Sequence, residues 1–279
     1  MRKTAIAAMV VGLLGSATPG FQTPQPGMVV STAWLAAHLD DSTVAVITTG
    51  ERSIYDRGHI PGARFIGHDE MLGPDHRLLE AGTLAAILAR AGARDEARVV
   101  LYGESAMTTG WLFMALAALG HAGHVSMLDG NIDAWRADGH RVETVQPRAA
   151  TGRLSVRPAP DVIVDAPWVR QRLEDPKVCL IDARTTREWN QGRLPGATLV
   201  LWQDLFADLN QLRFKPRDEI RAMLERAGAA PGREVVTYCA VGMRASLMYF
   251  AALHAGFPAR VYVGSYEDWR RQGDAPIVR

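Results

Sequence analysis

Val235-Val236-Thr237-Tyr238-Cys239-Ala240-Val241-Gly242-Met243-Arg244 is an apolar run that ends on a cysteine and breaks at a glycine. The run before Cys239 reads as a buried β-strand, and Ala245 to Leu253 reads as a helix. A thiol at the carboxyl end of a strand, in a tight loop feeding a helix, sits where backbone N–H groups converge. Those donors and the helix N-terminus favour negative charge on the sulfur. Gly242 lets the loop close, and Arg244 adds a fixed positive charge at its rim. Cys239 is the candidate nucleophile. The amides of Ala240, Val241, Gly242, Met243 and Arg244 are the candidate donors to an anion held there.

Working outward, the same pattern occurs twice. Val29 to Leu35 resembles Ile163 to Val169, and Gly58-His59-Ile60-Pro61-Gly62-Ala63 matches Gly192-Arg193-Leu194-Pro195-Gly196-Ala197. Val99 to Tyr102 matches Val235 to Tyr238, and Gly130 to Arg136 matches Gly264 to Arg270. Four matches in one order predict two homologous domains, 28–145 and 161–279, joined by a Pro- and Arg-containing linker over 146–160. In the second half, strands are expected at Val178–Ile181, Thr198–Leu201, Val235–Tyr238 and Arg260–Val263. Helices are expected at Pro167–Leu173, Arg217–Arg226 and Arg244–Ala255. This alternation predicts an α/β fold, each half a mostly parallel sheet flanked by helices, with ligands at the carboxyl ends of the strands.

The halves differ where chemistry is expected. Cys239 aligns with Gly103, and Asp182-Ala183-Arg184 aligns with Thr48-Thr49-Gly50. The thiol, the acid and the arginine are missing together from the first half, which suggests one working unit kept only in the second.

Composition narrows the field. The 279 residues carry 31 Lys+Arg against 30 Asp+Glu, a net charge of +1, which argues against a nucleic-acid or membrane-surface role. Arg2 and Lys3, the apolar stretch Ala5 to Leu14, then Gly15 and Ala17 read as a signal peptide over 1–17. The expectation is a soluble exported protein, in the periplasm, with no membrane span once the signal is removed. Cys179 begins its strand and Cys239 ends its own, so the two cysteines are expected to stay unpaired. Cys179 reads as a small core residue. Two separated cysteines and scattered histidines predict no metal site, and no glycine-rich nucleotide loop is present.

Taken together, Asp182-Ala183-Arg184, Glu188-Trp189, Gly192 to Ala197, the Cys239 loop and Gly264 to Trp269 resemble a tandem-domain rhodanese. Such a protein is a sulfurtransferase of the thiosulfate or 3-mercaptopyruvate type. The resemblance covers nearly the whole chain after the signal segment. It implies an inactive N-terminal rhodanese domain and a catalytic C-terminal one, working without a cofactor. Cys239 would take sulfur from a small anionic donor as a persulfide and pass it to cyanide or a thiol, a thiol redox protein included. Arg184 matches the family's substrate-binding arginine, and its competing role is an ion pair with Glu188 at i+4. Asp182 would support the loop or orient Arg184. Arg193 and His59 read as turn residues, and Trp135 and Trp269 as core.

The loop departs from those of tandem enzymes, because its basic residue, Arg244, stands at the end. That arginine and the export signal point to thiosulfate as donor. The alternatives are 3-mercaptopyruvate as donor, or a non-catalytic persulfide carrier. A phosphatase of related fold would need five residues between cysteine and arginine, and here four intervene.

Overall fold

The computed structural model describes residues 27–73, 77–148, 152–157 and 159–279. The expected signal peptide lies outside them, as do residues 149–151 and 158 of the expected linker. In the first half come β1 (Val29–Val30), α1 (Thr32–Ala37), β2 (Val44–Thr49), α2 (Arg52–Arg57) and β3 (Arg64–Ile66). Then follow α3 (Ala81–Arg90), β4 (Arg98–Gly103), α4 (Ala106–Ala118), β5 (Val125–Leu128) and α5 (Ile132–Ala137). The second half runs β6 (Ile163–Val164), α6 (Ala166–Arg170), β7 (Val178–Asp182), α7 (Thr186–Gln191), β8 (Thr198–Leu199), β9 (Phe206–Asp208) and β10 (Arg213–Phe214). It finishes with α8 (Arg217–Arg226), β11 (Glu234–Tyr238), α9 (Met243–Ala255), β12 (Ala259–Tyr262) and α10 (Ser265–Arg271).

Each half holds a five-stranded parallel sheet, in the orders β1-β5-β4-β2-β3 and β6-β12-β11-β7-β8. Val99 to Leu101 and Val235 to Thr237 form central strands covered on both faces, which is why they read as unbroken apolar runs. The register of the two sheets matches the alignment of the halves: Thr48 lies opposite Tyr102, and Asp182 opposite Tyr238. Two expected elements shrink. The strand after Pro195 stops at Leu199, because Leu201 already caps a 3₁₀ turn over Trp202–Leu205. The helix expected to Leu173 stops at Arg170, with Gln171 as its C-cap.

The antiparallel β9–β10 hairpin has no counterpart in the sequence expectation. Its five strand residues carry too little periodicity to be seen, and packing holds them: the Phe206 and Phe214 rings lie 4.8 Å apart and Phe214 is 5.7 Å from Phe250. The hairpin docks on the first half. Arg213 donates twice to Asp138 at 2.8 Å, Phe214 N–H donates to Asp129 Oδ1 at 2.8 Å, and Asn131 N–H donates to the Gln211 carbonyl at 2.9 Å.

The halves meet along α4 and α9. Both helices are buried almost all round, α4 from Thr109 to Ala117 and α9 from Ala245 to Leu253, as suits helices with no face left for solvent. Gly110 lets them touch, since a Cβ there would lie 2.7 Å from Leu247 Cα. Phe113 packs edge-on to Phe250 at 4.9 Å. The described part of 146–160 lies along the first half: Leu154 is buried, Ser155 N–H donates to Asp95 Oδ1 at 2.8 Å, and Arg157 N–H to the Leu119 carbonyl at 3.0 Å.

Candidate active site

Cys239 follows the last residue of β11 and is fully enclosed. Val235 pairs with Cys179 and Tyr238 with Asp182, so the two cysteines stand about 13 Å apart along the sheet at ~3.3 Å per residue. Both are free thiols.

The loop over the sulfur is shorter than the sequence suggests. α9 begins at Met243, so Met243 and Arg244 are its first turn and only Ala240, Val241 and Gly242 bridge strand to helix. Gly242 is the N-cap and offers no side chain, which leaves first-turn N–H groups of α9 without a capping acceptor. Its own N–H donates to Cys239 Sγ at 3.1 Å. Gly242 has φ +96°, and a Cβ there would meet the Val263 carbonyl oxygen at 2.7 Å and Trp111 Cζ3 at 3.1 Å. Trp111 belongs to α4, so the first half supplies one wall of the loop. Val241 is half exposed on the outside. Beside it opens a cleft of about 410 Å³ between Arg77 of the first half and Val241, Gly264 and Glu267 of the second.

α10 carries the other side of the loop. Tyr266 N–H donates to the Cys239 carbonyl at 2.9 Å and Glu267 N–H to the Ala240 carbonyl at 3.1 Å. Ser265 Oγ accepts the Cys239 N–H at 3.0 Å, donates to the Tyr262 carbonyl at 2.8 Å, and lies 4.0 Å from Cys239 Sγ. Ser265 is held at φ +56°, a left-handed conformation uncommon outside glycine. The repeat motif Gly264-Ser265 marks the position in sequence, but the contact to Cys239 arises only when β12 is laid beside β11.

Arg244 stands next to the sulfur and is locked from the far side. Its Nη1 and Nη2 donate to Glu188 Oε2 and Oε1, each at 2.7 Å. Glu188 is itself fixed by a capping box at the start of α7, where Thr185 N–H and Oγ1 donate to Oε2 at 3.0 and 2.7 Å. The Arg244 bonds hold the Glu188 carboxyl down to about 2, against partial burial. In return, the Glu188 bonds push the Arg244 guanidinium up, burial opposes this, and the nearby Cys239 sulfur adds to it.

Arg184 lies in the frame beneath the loop. It is only 2% exposed, and its Nε and Nη2 donate to both Asp182 oxygens at 2.6–2.9 Å. Nη2 also reaches the Gly192 carbonyl at 2.7 Å, and the guanidinium stacks 4.0 Å over the Tyr266 ring. Its Nε and Nη2 are thereby taken, as Nη1 and Nη2 of Arg244 are taken by Glu188. The competing pair with Glu188 does not form, because Glu188 turns to Arg244. Asp182 and Arg184 together brace the ends of β7, α7 and α10. Arg193 joins that frame through the Val278 backbone and the Trp189 ring, and His59 is buried against the Tyr55 carbonyl.

The equivalent place in the first half is filled. A Cβ on Gly103 would meet the Thr49 carbonyl oxygen at 2.7 Å and Thr109 Oγ1 at 2.8 Å, so no thiol fits there. The Glu104 carboxylate accepts the Glu51 N–H beside Gly50. Among the described residues, no group of three or more His, Cys, Asp or Glu could hold a metal ion, and no helix is long and apolar enough to cross a membrane.

A family model for the rhodanese-like domain matches residues 31–138 and again 165–272. The chain belongs to the rhodanese family. A thiosulfate sulfurtransferase of Pseudomonas aeruginosa is 28% identical over 264 residues, 90% of this chain and 96% of that one. A probable 3-mercaptopyruvate sulfurtransferase of the same organism is 29% identical over 248 residues, covering 81% and 86%. The sulfur carrier protein TtuD of Thermus thermophilus is 27% identical over 284 residues, covering 91% and 97%. Among solved structures, SseA of Escherichia coli superposes with a TM-score of 0.75 at 23% identity, over 86% of this chain and 99% of that one, and shows the same fold. By class, this tandem rhodanese is a sulfurtransferase.

Proposed function

We propose that the chain moves sulfane sulfur from thiosulfate, through a persulfide on Cys239, to cyanide or a thiol. One observation carries this reading. The only cysteine at a strand's carboxyl end receives the Gly242 N–H at 3.1 Å, above an uncapped helix start and beside Arg244. In the first step the Cys239 thiolate attacks the outer sulfur of thiosulfate. The S–S bond of the donor breaks, sulfite leaves with the electron pair, and Cys239 carries a persulfide anion. In the second step cyanide or a thiolate attacks the outer sulfur of that persulfide and the Cys239 thiolate returns. Covalent storage divides one transfer into two. The Gly242 amide and the start of α9 lie where the sulfur's negative charge must be held through both steps.

Arg244 favours an anionic donor and stands beside the sulfur, while Arg184 is paired with Asp182. Of the residues first assigned to donor binding, the Ala240–Met243 backbone and Arg244, acting through its charge because Glu188 takes its two-point face, keep that role in this proposal, while Asp182 supports from beneath. The relatives include enzymes named for 3-mercaptopyruvate, and the Glu188–Arg244 pair favours that second reading, since the cation is already matched by a carboxylate. The basic and apolar pattern of residues 1–17 supports action outside the cytoplasm, where a thiol redox protein would serve as acceptor.

Intact-mass measurement tests the proposal. After thiosulfate the protein should gain one sulfur, and cyanide should remove it. No gain from thiosulfate, with a gain from 3-mercaptopyruvate, would move the donor to the second reading. No gain from either would overturn the persulfide mechanism.

A further inference from the structure

Glu188 has no role in the two chemical steps, yet through Arg244 it is held at the sulfur. Glu188 reaches Arg244 across 56 positions of sequence, with both carboxylate oxygens engaged at 2.7 Å. It cannot swing aside freely, because Thr185 holds one oxygen through both its N–H and its hydroxyl. The pair is part-buried, 15% and 30% exposed at the two side chains, so solvent screens it only in part. The consequence is a charge count. A Cys239 thiolate and Glu188 bring two negative charges to one positive Arg244. From these three groups a donor meets a net negative side-chain charge, opposed by the backbone dipoles of the loop, while the neighbouring cleft sets Arg77 and Arg271 against Glu267 and Asp268.

Resting on the sulfurtransferase reading, we propose that Glu188 is a specificity-determining residue that grades sulfur donors by charge. It occupies the two-point face of Arg244 that a donor's anionic end would otherwise take, and it repels that end. The handicap grows with donor charge. A dianion such as thiosulfate bears about twice the penalty of a monoanion such as 3-mercaptopyruvate, and an uncharged organic trisulfide bears none. The chain thus uses monoanionic or neutral sulfur donors better than Arg244 alone would dictate.

The test compares Glu188→Gln with wild type on thiosulfate and on 3-mercaptopyruvate, at low and high ionic strength. Glutamine keeps the volume and an oxygen for Thr185 and Arg244 while removing the charge. Expected is a rise in kcat/KM of about five- to tenfold for thiosulfate and about two- to threefold for 3-mercaptopyruvate, mainly through KM. The difference between donors should shrink as salt is raised from 20 mM to 0.5 M. Glu188→Asp, which keeps the charge on a shorter arm, should show no such gain for the dianion. Equal changes for both donors, a loss with both, or a gain insensitive to salt would each overturn the proposal and leave Glu188 a brace for Arg244. Sulfur uptake by wild type, read by mass in the same samples, keeps this outcome separate from failure of the sulfurtransferase reading itself.

Discussion

Cys239 and Cys179 differ by four rungs of sheet, and their fates should differ accordingly. Cys239→Ser should fold as wild type but lose sulfur uptake and thiosulfate:cyanide turnover, because a hydroxyl cannot form a persulfide. Cys179→Ala should stay active at a stability cost of about 1 kcal/mol, since its thiol is a buried space-filler near the Ala227 carbonyl. Full turnover in the serine variant would sink the assignment. Arg184→Ala makes the opposite kind of prediction. It leaves Asp182 buried without its partner, so unfolding in urea should show a loss of about 3–5 kcal/mol. The folded fraction should keep a near-normal kcat/KM, and a hundredfold loss of donor use without destabilisation would restore the donor-binding role. Glu188 adds a pH signature. Its carboxyl falls from 4.5 to about 2 in the folded chain, so its contribution to stability is present above about 4.5 and disappears as pH falls toward 2. The stability gap between wild type and Glu188→Gln should be flat from pH 5 to 8 and close below 4.5. A gap that persists unchanged at pH 3 would mean the pair contributes nothing. At this scale the sequence showed Cys239, Gly242 and Arg244, which lie within six consecutive residues. It could not show that Arg184 is buried, which depends on Tyr266 from another element, and it missed the Glu188–Arg244 contact, which joins the first turns of α7 and α9.

Among the elements, the turn between β11 and α9 and the crossing of α4 with α9 are the tight places. Gly242→Ala must be strained at φ +96° and must push on the Val263 carbonyl. It should cost about 1–2 kcal/mol and at least tenfold in sulfur transfer, since the amide that meets Cys239 Sγ moves with it. Gly110→Val inserts a side chain where Leu247 already sits, at a cost of about 1–3 kcal/mol in the denaturation midpoint. Wild-type stability in that variant would mean the helices can part without loss. Helix α8 could be read to the residue because its amphipathic period is clear; α4 and α9 could not be assigned partners, because a helix apolar on every side carries no mark of which face meets which neighbour. The β9–β10 hairpin stayed invisible for a related reason: its fixings are tertiary, to Asp129, Asn131 and Asp138 in the other half.

For the molecule as a whole, the alternation of strands and helices and four motifs that each occur twice were enough to reach two parallel α/β halves. What periodicity could not supply was how the halves are joined. Trp111 of the first half packs against the Cys239 loop at Gly242, so neither half owns the complete candidate site. Had the two halves been separate chains, that wall would be present only at concentrations above their dissociation constant. Joined in one polypeptide, the wall is present at a local concentration in the millimolar range whatever the abundance of the protein. Turnover per molecule should therefore stay constant as the enzyme is diluted from micromolar to sub-nanomolar in a steady-state assay. A decline on dilution would mean that a second molecule completes the site. A tethered wall suits a protein that works where its own supply is sparse.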